Sequence, residues 1–259
     1  MKVVLLCGGR GTRLREQTET LPKPLIEIGG RPILWHVMKY YAHFGFTDFV
    51  LCLGYLGDRI KQYFAGDRAW ERHDFVLHAG ASGPERIELL GEREDWNLTF
   101  VDTGLETNTG GRVKRAERYL DGDLALVTYA DGLADLDLGR LVEFHRSHGR
   151  LASLTTVNPA SPFGVLDLGD DGKVRRFQEK PRLDGWINGG FFVFSTSALS
   201  RLGANDSLEQ DLLTALAEED ELYAFRHTGF WACMDTYKDH LALNALWESG
   251  KAPWRVWEG

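Results

Sequence analysis

The densest chemistry in the chain lies between residues 8 and 24: Gly8, Gly9 and Gly11, then Thr12 and Arg13, and further on Lys23 between Pro22 and Pro24. Backbone amides in a glycine-rich turn approach an anion closely because no Cβ intervenes. Arg13 and Lys23 then add two separated positive charges for oxygens that the amides do not reach. The combination suggests a cradle for a nucleoside triphosphate. It is not a P-loop, which needs Lys-Ser/Thr straight after the last glycine. Nor is it a dinucleotide fingerprint, because position 14 is Leu where the third glycine would stand.

Carboxylates supply the second ingredient. Asp131 follows the apolar run LALVTY, whose last residue is Tyr129, and Asp235 sits in FWACMDT. Mg²⁺ is commonly held by one or two carboxylates together with substrate phosphates, so Asp131 and Asp235 are the candidate metal ligands. FQEKP places Glu179 and Lys180 at the end of an expected strand, and INGG places Asn188 and Gly189 at the start of the next. Lys180 there suits a phosphate contact, with Glu179 on sugar hydroxyls. Gly110, Gly111 and Arg112 open an expected helix whose amides can accept an anion. These pieces imply phosphoryl or nucleotidyl transfer, in which positioning and charge neutralisation supply most of the catalysis. No Ser-His-Asp, Cys-His or zinc-type constellation competes, and His145 and His148 share a helix face with no third ligand nearby.

Such residues need a scaffold that brings them to one edge. Val3 to Leu6 are continuous and aliphatic, as in a parallel strand buried on both faces. Leu6 and Cys7 then deliver the glycines. Further strands are expected at 48–53, 74–78, 97–101, 124–128, 152–157 and 190–194, and helices near 32–45, 57–65, 110–119, 138–148, 208–219 and 236–249. This alternation predicts an α/β fold with a predominantly parallel central sheet and helices on both faces. Ligands of such sheets gather at the carboxyl ends of the strands. Residues 80–96 are polar and turn-rich and read as a loop or excursion. The tail 247–259 carries three tryptophans, which predicts packing on the body or on a neighbouring subunit.

The chain has 259 residues, 43% hydrophobic and 26% charged, enough for one large domain with a sizeable core. A net charge of −8 with no basic tract argues against a dedicated nucleic-acid binder. Three scattered cysteines exclude a disulfide framework and fit a reducing cytoplasm. No apolar run approaches a membrane span.

The strings GGRGTRL and PKP make the chain resemble the sugar-1-phosphate nucleotidyltransferases, and the likeness runs nearly end to end. WNLTFVDTG, GFWACMDT and GKAPW point, within that family, to the glucose-1-phosphate cytidylyltransferases. The resemblance implies a single Rossmann-like (GT-A-like) domain over 1–259. Its sugar-binding portion would span about 150–235, and a C-terminal helix and aromatic tail would span 236–259. It implies that CTP and α-D-glucose 1-phosphate give CDP-glucose and pyrophosphate with Mg²⁺ on Asp131 and Asp235. In the same analogy Arg13, Lys23 and Asp131 are catalytic. Leu6, Cys7, Gly8, Gly9, Gly11, Thr12, Thr109, Gly110 and Arg112 surround the nucleotide, while Tyr129, Glu179, Lys180, Asn188 and Gly189 take the sugar phosphate. A homo-oligomer is implied as well. Alternatives within reach are the same chemistry with UTP, dTTP or another sugar 1-phosphate, and a nucleotide-binding relative that does not turn over. Tyr129-Ala130-Asp131-Gly132 departs from the family's usual Tyr-Gly-Asp-Gly but keeps the carboxylate.

Overall fold

The computed structural model describes residues 1–14, 18–65, 74–80, 86–90, 94–161, 163–182 and 184–257; the Arg13 side chain falls outside the described set. Seven strands form the central sheet: β1 (Val3–Leu6), β2 (Asp48–Leu53), β3 (Asn97–Asp102), β4 (Leu124–Tyr129), β5 (Ala152–Val157), β6 (Ile187–Ser195) and β7 (Leu222–His227). Their order is β7-β5-β6-β4-β1-β2-β3. All neighbouring pairs are parallel except those of β6, which runs antiparallel to both β4 and β5. The predicted α/β sheet is therefore present, with one reversed strand.

Alternate residues of the central strands feed two cores, as the period of two demands. Val3 and Leu5 of β1, Phe49 and Leu51 of β2 and Leu126 of β4 pack on one face, under helices α1 (Ile33–His43), α2 (Gly57–Ala65), α4 (Leu138–His148) and α5 (Tyr237–Glu248). Val4, Val50, Cys52, Ala125 and Val127 pack on the other, under α3 (Thr109–Ala116) and the helical turns of 196–218. Burial on both faces explains why these strands read as unbroken apolar runs rather than as alternation.

The register fixes where the chemistry emerges. Leu6 lies level with Cys52 on one side and Tyr129 on the other, so the turns after β1, β2 and β4 leave the sheet side by side. The expected strand at 74–78 does form, over Phe75–His78, but it pairs with Arg86–Leu89 in a separate ribbon rather than joining the sheet. Of the stretch expected as a loop or excursion at 80–96, residues 86–89 form a strand of this ribbon outside the sheet; 81–85 and 91–93 lie outside the described residues. A second ribbon, Val165–Leu168 with Val174–Gln178, leads into Glu179 and Lys180. The aromatic tail docks on the body: Trp254 is fully buried, its Nε1 donating to His36 Nδ1 at 3.4 Å, while His36 Nε2 meets the Ile28 carbonyl at 2.8 Å.

Candidate active site

A cavity of about 320 Å³ opens at the carboxyl ends of β1 and β4. Leu6, Cys7, Gly8, Gly9, Gly11, Lys23, Pro24, Thr109, Arg112, Tyr129 and Asp131 are among its lining residues, so most of the predicted nucleotide cradle converges here. Gly8 is required by a close approach: a Cβ there would lie 2.0 Å from Arg112 Nη1. Arg112 is itself only 5% exposed. Its guanidinium donates to the carbonyls of Leu53, Gly104, Gly8 and Leu105 at 2.8 to 3.2 Å and to Thr103 Oγ1 at 2.7 Å. One side chain thereby ties together the turns that follow β1, β2 and β3.

Lys23 starts a single 3₁₀ turn, Lys23–Leu25, behind the extended Pro22. Its ammonium donates to Asp131 Oδ2 and, at 2.8 Å, to Asp235 Oδ1. Burial pulls the Lys23 pKa down, but the two carboxylates outweigh it and hold the group charged, above the ordinary lysine value. Asp235 reaches this place through local pairing: Trp231–Cys233 lies antiparallel to Gly132–Ala134, and Met234 N donates to the Asp131 carbonyl at 3.0 Å. A capping box at Thr236 and Asp239 then starts α5 at once, which holds the turn that carries Asp235.

Among the described residues, Asp131, Cys233 and Asp235 form a group whose donor atoms all lie within 4.8 Å of one another. Two carboxylates beside a glycine-lined cavity fit a hard divalent cation that completes its shell with oxygens of substrate and water. The Lys23 ammonium already bridges the same two carboxylates, so the spot accommodates positive charge.

The inner wall holds a network that the sequence reading missed. Tyr129, at the end of β4, donates its hydroxyl proton to Glu209 Oε1. Thr109 Oγ1 donates to Glu209 Oε2 at 2.6 Å and Ser207 Oγ to the same oxygen at 2.9 Å. Burial pushes the Glu209 pKa up, yet these hydrogen bonds outweigh it and hold the carboxyl below the usual glutamate range. Asn188 Nδ2 approaches the Tyr129 hydroxyl at 3.5 Å, and the Gly189 carbonyl accepts from Trp231 Nε1 at 2.8 Å. Glu209 sits in an ordinary-looking amphipathic stretch, SLEQDLL, and only its three-dimensional partners distinguish it from a solvated acid.

Other predicted residues stand apart. Glu179 and Lys180 are exposed, pair with each other at 3.5 Å and do not line the cavity. Thr12 and Gly110 are also outside the lining, Gly110 being packed against the Asp206 carbonyl and Leu202. His145 and His148 both meet Ser153 Oγ, at 3.0 and 2.7 Å, and neither belongs to the group of possible metal donors among the described residues.

The nucleotidyl transferase family model matches residues 2–249. The chain belongs to the nucleotidyl transferase family. It is 49% identical over 263 residues to a glucose-1-phosphate cytidylyltransferase of Salmonella typhi, covering 100% of both chains. To a probable glucose-1-phosphate cytidylyltransferase of Bacillus subtilis it is 43% identical, covering 99% of this chain and 100% of the relative. Among solved structures, a putative glucose-1-phosphate thymidylyltransferase from Bacillus anthracis superposes with a TM-score of 0.70 at 18% identity, over 100% of this chain and 97% of the other. That likeness supports the fold. Members of this family generally use a divalent metal, in keeping with the donor set at Asp131 and Asp235. No helix among the described residues is long and apolar enough to cross a membrane.

Proposed function

We propose that the chain transfers the cytidylyl group of CTP to α-D-glucose 1-phosphate, giving CDP-glucose and pyrophosphate. The observation that carries this reading is the meeting of the glycine turn, Lys23 and Asp131 at one cavity, with Asp235 joined to them through the Lys23 ammonium. The full-length likeness to cytidylyltransferases supports the choice of base and sugar. A phosphate oxygen of the sugar phosphate attacks the α-phosphorus of CTP, the α–β phosphoanhydride bond breaks, and its electrons leave with pyrophosphate. No covalent enzyme intermediate is needed.

In this reading the amides of Gly8 to Gly11 and Arg13 hold the triphosphate. Lys23 neutralises charge on the α-phosphate and on the departing pyrophosphate, an electrostatic contribution that is large in a site shielded from water. Asp131 and Asp235 would hold Mg²⁺, which supplies charge neutralisation at the phosphates. Lys180, Glu179, Asn188 and Gly189 serve the sugar phosphate; the exposed Glu179–Lys180 pair is not part of the cavity lining and is open to a second substrate.

The chain is read as a single domain, with about 150–235 as its sugar-binding portion. Its scattered free cysteines fit the cytoplasm. Two ribbons with exposed Phe75, Leu77, Leu166 and Phe177 fit a homo-oligomer, which sedimentation analysis would reveal as a mass above that of one chain. The deciding experiment is a matrix of the four nucleoside triphosphates against several sugar 1-phosphates, read by pyrophosphate release. Turnover highest with CTP and glucose 1-phosphate is expected. Preference for UTP or dTTP would overturn the base assignment, and binding without any product would reduce the chain to a nucleotide binder.

A further inference from the structure

We propose that Glu209 is a specificity-setting positioning residue: by taking the protons of Tyr129 and Thr109 it makes this wall of the cavity accept, and not donate, hydrogen bonds to substrate. The inference rests on the reading of the cavity as the substrate site. Thr109 and Tyr129 both line the cavity, whereas Glu209 stands behind them. A hydroxyl has one proton and can otherwise only accept. Tyr129 gives its proton to Glu209 Oε1, and Thr109 and Ser207 give theirs to Oε2.

The ionisation of Glu209 agrees with that assignment of protons. Glu209 is held below its ordinary value, so it stays an acceptor. Thr109 Oγ1 also accepts from Leu208 N at 2.9 Å, which fixes the rotor from the other side. What Tyr129 has left is an acceptor lone pair, met among the described residues by the Asn188 amide at 3.5 Å, a contact long enough to yield to a better donor.

The ligand chemistry that fits is a hydrogen-bond donor: a hexose hydroxyl or the exocyclic amine of cytosine. A group that can only accept, such as a fluorine in place of a hydroxyl or the O4 of uracil, would meet a lone pair and leave a buried polar group unpaired. Discrimination of that kind is strong because the penalty falls on the wrong substrate.

The test uses the full chain and steady-state kinetics on wild type, Glu209→Gln, Tyr129→Phe and the double variant. Glutamine offers one oxygen and one NH₂, so it cannot take every proton that Glu209 takes, and one hydroxyl must turn its proton outward. Glu209→Gln is expected to lower kcat/KM at least tenfold, mainly through KM, and to have an effect within twofold of none once Tyr129 is Phe. If the donor is a hexose hydroxyl, one deoxyfluoro glucose 1-phosphate is discriminated against by wild type and at least tenfold less so by Glu209→Gln. If it is the cytosine amine, the CTP-to-UTP preference shrinks instead. Equal losses from Glu209→Gln in both backgrounds, or neither preference shifting, would overturn the proposal. Absence of any wild-type product would indict the substrate reading itself. Calorimetric binding of glucose 1-phosphate and of CTP then scores Glu209 directly, with a loss below twofold in both ligands counting against it.

Discussion

Replacing Lys23 by Met should move turnover and metal affinity in opposite directions. The Lys23 ammonium lies 2.8 Å from Asp235 Oδ1 and also bonds Asp131, and these carboxylates belong to the cluster whose donors lie within 4.8 Å of one another. At 2.8 Å two unit charges attract by ~1.5 kcal/mol in a water-like dielectric and ~6 kcal/mol at an effective dielectric of about 20. The Asp235 side chain is 38% exposed, so the lower end of that range applies. A divalent ion entering the cluster must displace this attraction, and ~1.5 kcal/mol corresponds to roughly a tenfold change in Kd. Lys23→Met should therefore bind Mn²⁺ about tenfold more tightly in the absence of nucleotide, as read by loss of the free-ion paramagnetic resonance signal. Turnover should fall by about 10² or more, the order of losing one preorganised electrostatic donor. Weaker Mn²⁺ binding alongside lost turnover would refute the reasoning, because the ammonium and the metal would then not compete for the same carboxylates.

Other expectations are more direct. Asp131→Ala should lose turnover by orders of magnitude with an unchanged circular-dichroism melt; near-normal rates would remove Asp131 from the site. His36, fully buried against Trp254, is pulled down to about 4 by burial. The unfolded chain therefore binds the proton first, and the stability it contributes, complete above about 6.5, is lost as pH falls toward 4, at up to ~1.4 kcal/mol per pH unit. Urea midpoints at pH 7 and 5 measure this slope, and a slope unchanged in His36→Leu would sink it. Gly29 has φ +58, and a Cβ there would lie 1.9 Å from Trp247. Gly29→Ala should cost ~2 kcal/mol or more through strain and displacement of that ring, visible as a lower Tm and shifted tryptophan emission, whereas an unaltered Tm would contradict it.

The sheet was legible because strands buried on both faces announce themselves as apolar runs, and Val3–Leu6, Asp48–Leu53 and Leu124–Tyr129 all do so. The glycine turn, Lys23 and Asp131 were legible for a related reason: residues that follow such strands have little choice of where to emerge. Leu222–His227 escaped notice because its half-exposed residues lack a continuous apolar run, although it pairs along its whole length with β5. Phe75–His78 was found but misplaced, since pattern alone cannot tell a sheet strand from an exposed ribbon. Glu209 was invisible for a deeper reason. Its role is defined by Tyr129, Thr109 and Ser207, two of them remote in sequence, and no local spacing encodes that meeting.

The ribbon that joins Cys233 to Gly132 has a consequence for how the molecule comes into being. A chain emerging from the ribosome presents the glycine turn and Lys23 first, then Asp131, but Asp235 arrives only after every strand of the central sheet has been made. The helix that follows it and the buried Trp254 come later still. A half-made chain thus holds the glycine turn, Lys23 and Asp131 while Asp235, the other carboxylate that meets Lys23, is still missing. The cluster around Lys23 is therefore completed late, after the whole of the central sheet.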